Sequence, residues 1–414
     1  MIQFERHTLS NGLRIVVHRD TQTPLVAVNV VYNVGSKFES PDKTGMAHLF
    51  EHLMFGGTNQ IPSFDIPLQN AGGDNNASTN TDLTNYYDIL PAINIETALW
   101  LESDRMRLLD FSEKALKTQK KVVIEEFKET CLEEPYGDLW HHLGKMAYKH
   151  HPYRWPTIGM EISHIKSIDL NDIKNFFYTY YRPNNAVIAI SGNVDIDEAF
   201  NLVEKYFGDI PMSNGTAQSI CAEPPQNEFR QHTLAADVPH DAIFRAYHIG
   251  GRYSDDFYAA DFITDILASG RSSRFYKKLF KEAQYFNTID AFVSGTTDPG
   301  LLVIEGHLNP NVTMDNARKN ILQEINALKD GKIDDRELQK IKNSIETSIA
   351  FSELNTLDKA LSLGYYEMTA DAELINTEVE KYFSITKKDI QEAANLIFND
   401  ENCCELVYLK SNRD

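Results

Sequence analysis

Residues 48 to 52 read HLFEH, which sets His48, Glu51 and His52 inside an otherwise apolar stretch, "TGMAHLFEHLMFGGT". If the stretch is helical, positions four apart differ by only about 40° of rotation, so both imidazoles stand on one face. Neutral imidazole is a preferred zinc ligand, and two rings on one face can share an ion. Glu51 lies beside His52 but off the line of the two rings, where a general base for a metal-activated water belongs. Five residues also fit a plainer reading, a hydrogen-bonded histidine pair on a solvated face.

A catalytic zinc site needs a third protein ligand and an open fourth position. The segment "FSEKALKTQKKVVIEEFKETCLEE", residues 111–134, reads as one long helix. Stepping about 100° per residue from Val123, the residues Leu116, Gln119, Phe127 and Thr130 fall within about 40° of it. Glu126 falls at the edge of that inward stripe, about 60° away, and Glu125 points to the opposite side. A carboxylate turned toward a core is costly unless it is paired or bound to metal. That gives Glu126, and not Glu125, a reason to be a ligand; a partly exposed glutamate paired with a lysine is the alternative. A second histidine group (His141, His142, His150 and His151) has no tight ligand spacing and reads as structural.

Strands and helices alternate around these residues. "GLRIVVHRD" and "PLVAVNVVYNVGS" read as strands, "TGMAHLFEHLMFGG" as a helix closed by Gly56 and Gly57, and "NAVIAISGNVD" as a buried strand. "ASTNTDLTNYYDILP" alternates poorly and is rich in Asn and Thr, so it reads as a single edge strand. The Pro/Ser/Asn-rich segment 211–229 is the best linker. After it the pattern restarts: "VYNVGS" is echoed by "AYHIGG", and "HLFEHLMFGG" by "DFITDILASG". Two echoes in the same order suggest a duplicated unit. The second copy has Asp261, Thr264 and Asp265 in place of His48, Glu51 and His52, so it does not repeat the metal set. The expected division is a domain over residues 1–215 and a homologous one over 229–414.

The chain has 414 residues, 42% hydrophobic and 24% charged, enough for two packed cores. A formal net charge of −20 argues against nucleic acid as a partner, because such binding rests on Lys and Arg neutralising phosphates. No apolar run is long enough to span a membrane, and the first twenty residues lack a signal-peptide core. The sequence therefore places the protein in the cytoplasm, a processed leader aside. Cys131, Cys221, Cys403 and Cys404 form no CxxC pair and read as free thiols.

The HxxEH order is the reverse of HExxH, and the match to known sequences extends well past it. "TGMAHLFEHLMFGGT", "AGGDNNASTNTDLTNYY", the glutamate in "KKVVIEEF", "HPYRWPTIG" and "YYRPNNAVIAISGNVD" occur here in one order. In this the chain resembles the pitrilysin family of reversed zincins, which includes insulysin and the mitochondrial processing peptidases. Its length is that of the half-size members. The resemblance implies an α+β fold of two homologous domains, each a mixed, largely antiparallel sheet with helices packed on one face. It implies one Zn2+ per chain, held by His48, His52 and Glu126, with Glu51 as the base in hydrolysis of peptides or unfolded segments. Substrate would add as a strand beside "NNAST", touching Asn76 and Ala77; for Asn76 an ordinary turn role is the alternative. Gln119 stands where the family carries a further glutamate, and it could orient a ligand only by hydrogen bonding. The family's C-terminal arginine and tyrosine, which hold substrate, align with Phe280 and Asn287. That departure points to a heterodimer in which a homologous, zinc-less partner supplies the pair, with a homodimer less favoured. The rival reading is a non-catalytic scaffold subunit.

Overall fold

The computed structural model describes all residues except Asn59, Asn214, 216–218 and 412–414. Part of the 211–229 linker expectation therefore lies outside the described residues. Eleven strands among them form two sheets. The first holds β1 (Glu5–Thr8), β2 (Arg14–Arg19), β3 (Leu25–Tyr32), β4 (Asp74–Thr79), β5 (Thr84–Pro91) and β6 (Ala186–Gly192). Its order is β1-β2-β6-β3-β5-β4, antiparallel except for the parallel β2–β6 pair. The second holds β7 (Arg230–Ala236), β8 (Ala242–His248), β9 (Phe286–Val293), β10 (Leu301–Leu308) and β11 (Cys403–Lys410). Its order is β7-β11-β8-β10-β9, with β7–β11 the parallel pair.

With β1 set aside, the two sheets are the same object. Numbering the strands within each, both run first-fifth-second-fourth-third, and in both the first and fifth are parallel. The "VYNVGS" and "AYHIGG" echoes fall at the ends of β3 and β8, the second strand of each sheet. The helices that follow, Met46–Met54 and Asp255–Ala268, are the other echoed pair. The fold is thus two α+β units with mixed sheets.

The compact units are not contiguous in the chain. One comprises Met1–Phe127, Trp155–Ile220 and Ser348–Glu378; the other comprises Lys128–Arg154, Cys221–Thr347 and Val379–Asp414. The reason lies in the strands. β6 is buried along its whole length, and a sheet apolar on both faces must be covered on both. In the first unit the even-numbered side of β3 faces the aromatic group of Phe50, Phe177 and Tyr181, where Phe50 and Tyr181 are 4.2 Å apart. The opposite side, with Asn29, Val16, Val187 and Ala189, is covered by a helix from the far half of the chain, Thr356–Thr369. Gly364 permits that approach, because a Cβ there would sit 2.7 Å from Asn29 Nδ2. In the second unit the roles are reversed. The helix Leu139–Ala147 covers Phe244, Leu406 and Tyr408 on one face, and the unit's own helices pack on Ile243, Tyr247 and Leu302 on the other. Helices therefore lie on both faces of each sheet, one face being covered by helical chain from the other half of the sequence.

Two local expectations are corrected. "ASTNTDLTNYYDILP" is a hairpin rather than one strand: β4 is the sheet edge and β5 an interior strand. The turn is made by Asn80, whose Oδ1 accepts the backbone N–H groups of Asp82 and Leu83 at 2.7 and 2.8 Å. The long helix over 111–134 is α-helical over Glu113–Phe127 and then winds as a π-helix over Lys128–Glu133. The rotation count holds through Phe127, with Leu116, Val123 and Phe127 buried, Gln119 and Glu126 half-buried and Glu125 exposed. It fails at Thr130, which is exposed, because each residue of a π turn advances by less than 100°.

Candidate functional site

The Met46–Met54 helix begins at Gly45, whose φ is +86° and where an added Cβ would sit 2.7 Å from Ile158 O, leaving no room for a side chain. Gly45 brings no capping side chain. The cap comes instead from Glu39, whose buried carboxyl group accepts the N–H of Gly45 at 3.0 Å and of Ala47 at 2.8 Å. Burial pushes the Glu39 carboxyl up to about 8, against these backbone donors and Trp155, which pull it down. At the other end, Gly57 turns the chain away at φ +83°. Ala47, Leu49, Phe50, Leu53 and Met54 anchor the helix in the core. His48, Glu51 and His52 occupy its half-buried side.

There the two Nε2 atoms lie 3.3 Å apart, with the rings edge to face. Glu126, at the end of the Glu113–Phe127 helix, places Oε1 3.6 Å from His48 Nε2 and Oε2 3.5 Å from His52 Nε2. Among the described residues this is the one group of three His, Cys, Asp or Glu side chains close enough to hold a metal ion. Burial, and then the neighbouring His52, hold the His48 imidazole below its ordinary value against the opposing charge of Glu51, and the lowered value favours the neutral form a ligand needs. The donor set fits zinc. Bonds of about 2.0–2.1 Å in a tetrahedron put ligand atoms about 3.3–3.4 Å apart; the two Nε2 atoms are 3.3 Å apart, and each lies 3.5–3.6 Å from a different oxygen of the Glu126 carboxylate. Among the described residues, His48 Nδ1 is buried with no protein hydrogen-bond partner.

Glu51 is held across the sheet edge. Its Oε2 accepts the hydroxyl hydrogen of Thr79, the last residue of β4. Asn76 is exposed and Ala77 half-buried on the same strand. Ala77 donates its N–H to Asn76 Oδ1 at 2.8 Å, and Asn75 donates to Asp74 Oδ1 at 3.0 Å. The N–H groups of residues 75 and 77 therefore point away from β5 to the free edge, covered only by their neighbours' short side chains. Gln119 stands on the same side of its helix as Glu126, seven residues upstream.

Neither Thr79 nor Glu39 was singled out from the sequence. Thr79 lies within the quoted "NNAST", and Glu39 in "GSKFES", seven residues before the buried end of the helix. Each acts through a bond between separate elements that no periodicity announces. In the second histidine group, His142 pairs with Asp138 at 3.1 Å, and His151 is buried 3.4 Å from Asp298. No disulfide joins the four cysteines; Cys221 is exposed and Cys131, Cys403 and Cys404 are buried.

In the second unit, Asp261 and Asp265 stand where the first has its histidines, on the Asp255–Ala268 helix. Asp261 accepts the hydroxyl of Tyr382 at 2.9 Å. Burial, and then the charge of Asp261, push Asp265 up to about 6. Phe280 is exposed and stacks on Tyr276 at 5.1 Å, and Asn287 is on the edge strand β9. The nearby Arg274 is committed to Glu337 through two bonds of 3.0 and 2.8 Å.

A mixed-sheet α+β repeat with a two-histidine, one-glutamate cluster defines a metallopeptidase-like class. Family models agree: residues 14–161 match "Insulinase (Peptidase family M16)" and residues 167–345 match "Peptidase M16 inactive domain". The chain belongs to peptidase family M16. It is 28% identical to the zinc protease PqqE of Helicobacter pylori, over 98% of this chain and 92% of that one. It is 26% identical to the beta subunit of the mitochondrial processing peptidase of Saccharomyces cerevisiae, over 94% and 87%. The crystal structure of a protease from Helicobacter pylori superposes with a TM-score of 0.94 at 27% identity, covering 99% of this chain and 100% of that one. Pitrilysin shares the fold, with a TM-score of 0.80 at 17% identity, covering 98% of this chain and 45% of its own. No helix among the described residues is long and apolar enough to cross a membrane.

Proposed function

We propose that this chain is a zinc-dependent endopeptidase subunit acting on peptides or unfolded segments. The observation that carries the reading is the convergence of His48 Nε2 and His52 Nε2, 3.3 Å apart, on the Glu126 carboxylate, whose Oε1 and Oε2 lie 3.6 and 3.5 Å from them respectively. Zinc in that cluster would polarise the scissile carbonyl and acidify a water. Glu51 takes the proton of the attacking water and returns it to the leaving amine. The free edge of β4 receives the substrate as an added strand, with Asn76 and Ala77 alongside it. Gln119 supports Glu126 from the same helix without adding charge.

Phe280 and Asn287 offer neither a cation nor a phenol for the substrate, and Arg274 is already engaged. A homologous partner lacking the zinc set would supply those donors, making the working form a heterodimer. The processing peptidase beta relatives are themselves named as subunits. The test is cleavage of a quenched fluorescent peptide library by the chain alone and mixed with its zinc-less homologue, each with a Glu51→Gln control. Turnover only in the mixture, abolished by the control, is expected. Full turnover by the chain alone would remove the partner, and silence in both would leave a metal-binding scaffold.

A further inference from the structure

Thr79 belongs to two systems at once. Its hydroxyl oxygen touches both Glu51 Oε2 and, at 3.3 Å, Thr84 Oγ1, its opposite number on β5. Thr84 spends its one hydroxyl hydrogen on Val34 O at 2.9 Å. Thr79 also has a single hydrogen, and an ionised Glu51 can only accept. The hydrogen of Thr79 is therefore committed to Glu51, and contact with Thr84 fixes the rotamer from which it is given. One carboxylate oxygen is thereby held, and Oε1 remains to take a proton.

The backbone of Thr79 serves the other system. Along β4, residues 75, 77 and 79 share the half-buried side, and the N–H groups of Asn75 and Ala77 turn to the free edge. In an antiparallel ladder this alternates, so Thr79 shares that direction. A peptide laid along β4 would pair with the backbone of the residue whose side chain holds Glu51.

We infer that Thr79 is a positioning residue: it sets the Glu51 carboxylate and ties its placement to the strand that receives substrate. This rests on Glu51 being the base, and the experiment separates the two. Thr79→Val keeps the shape of the side chain and removes the hydroxyl; Thr79→Ser restores it. Two readouts are taken. Crystal structures of the metal-free Thr79→Val and Thr79→Ser chains report the Glu51 rotamer. Steady-state kinetics on a quenched peptide, in the subunit combination that turns over, report kcat and KM, with bound zinc measured for each protein.

The expected result is a displaced or multiple Glu51 rotamer in Thr79→Val and a native one in Thr79→Ser. With zinc content unchanged, kcat in Thr79→Val falls roughly tenfold to a hundredfold at constant KM, the loss of one hydrogen bond to a charged group, and Thr79→Ser recovers most of it. A native Glu51 rotamer in Thr79→Val overturns the proposal, as does wild-type kcat in that variant while Glu51→Gln is inactive. Wild-type turnover by Glu51→Gln overturns the base assignment and this inference with it.

Discussion

Glu39 Oε1 accepts the backbone N–H of Ala47 at 2.8 Å, so the residue before the first histidine is held by a carboxyl group eight positions upstream. The helix carrying His48, Glu51 and His52 thus starts at a point fixed from outside itself. An N-cap lost from an exposed helix costs about 1 kcal/mol; a buried one also strands its N–H donors.

Glu39→Ala should destabilise the fold by about 2–3 kcal/mol, and bound zinc should become easier to strip. Urea unfolding, with zinc affinity measured by chelator competition, checks both effects. An unchanged unfolding midpoint would mean that the helix start is fixed by Gly45 and its neighbours alone.

The two adjacent glutamates of the Glu113–Phe127 helix separate the metal reading from general acidity. Glu126 lies 3.5 and 3.6 Å from the imidazoles, whereas Glu125 is exposed on the other side. Zinc content by elemental analysis should be one per chain in the wild type and in Glu125→Gln. It should be largely lost in His52→Ala and weakened at least tenfold in Glu126→Gln. Equal losses in Glu125→Gln and Glu126→Gln would contradict the geometry.

The pH dependence of the second unit should bear the mark of Asp265. Its carboxyl titrates at about 6 in the folded chain, against an ordinary value of 3.8, with Ser269 and Lys340 opposing the shift. The folded state thus holds the proton more tightly than the unfolded state. The resulting stabilisation is full below pH ~4 and is lost as pH rises through about 6, at most roughly 3 kcal/mol. Asp265→Asn cannot ionise. Its stability relative to wild type should rise between pH 4 and 7, leaving the variant the more stable at neutral pH. Urea midpoints of both proteins across that range measure it, and a constant difference would refute the assignment.

What could be read from sequence followed the range of the interaction. His48 and His52 are four apart on one helix, so rotation alone puts them together. Glu126 could be chosen over Glu125 because its helix stays regular up to Phe127; one residue later the winding changes and the same count misplaces Thr130. Asn80 is a recognisable turn residue, and the hairpin it closes could have been read from it. The bonds from Glu39 to Ala47 and from Thr79 to Glu51 join separate elements, and no spacing rule reaches across them. The exchanged helices Leu139–Ala147 and Thr356–Thr369 were the least legible, because an amphipathic helix does not say which sheet it will cover.

The edge of β4 gives the sharpest test of how substrate is held. Ala77 spends its N–H on the side chain of Asn76 and not on β5, so a proline there removes an edge donor while leaving the ladder to β5 intact. Edge strands tolerate proline in that orientation. Ala77→Pro should therefore fold with nearly native stability and bind one zinc. Its KM for peptides should rise about tenfold, the loss of one backbone pairing, with kcat much less affected. Asn76→Ala has a different signature. It uncovers the Ala77 N–H without removing it, so substrate no longer has to displace a side chain and KM should stay level or fall. Opposite movements of KM in the two variants would identify β4 as the strand that pairs with substrate; parallel movements would place the peptide elsewhere.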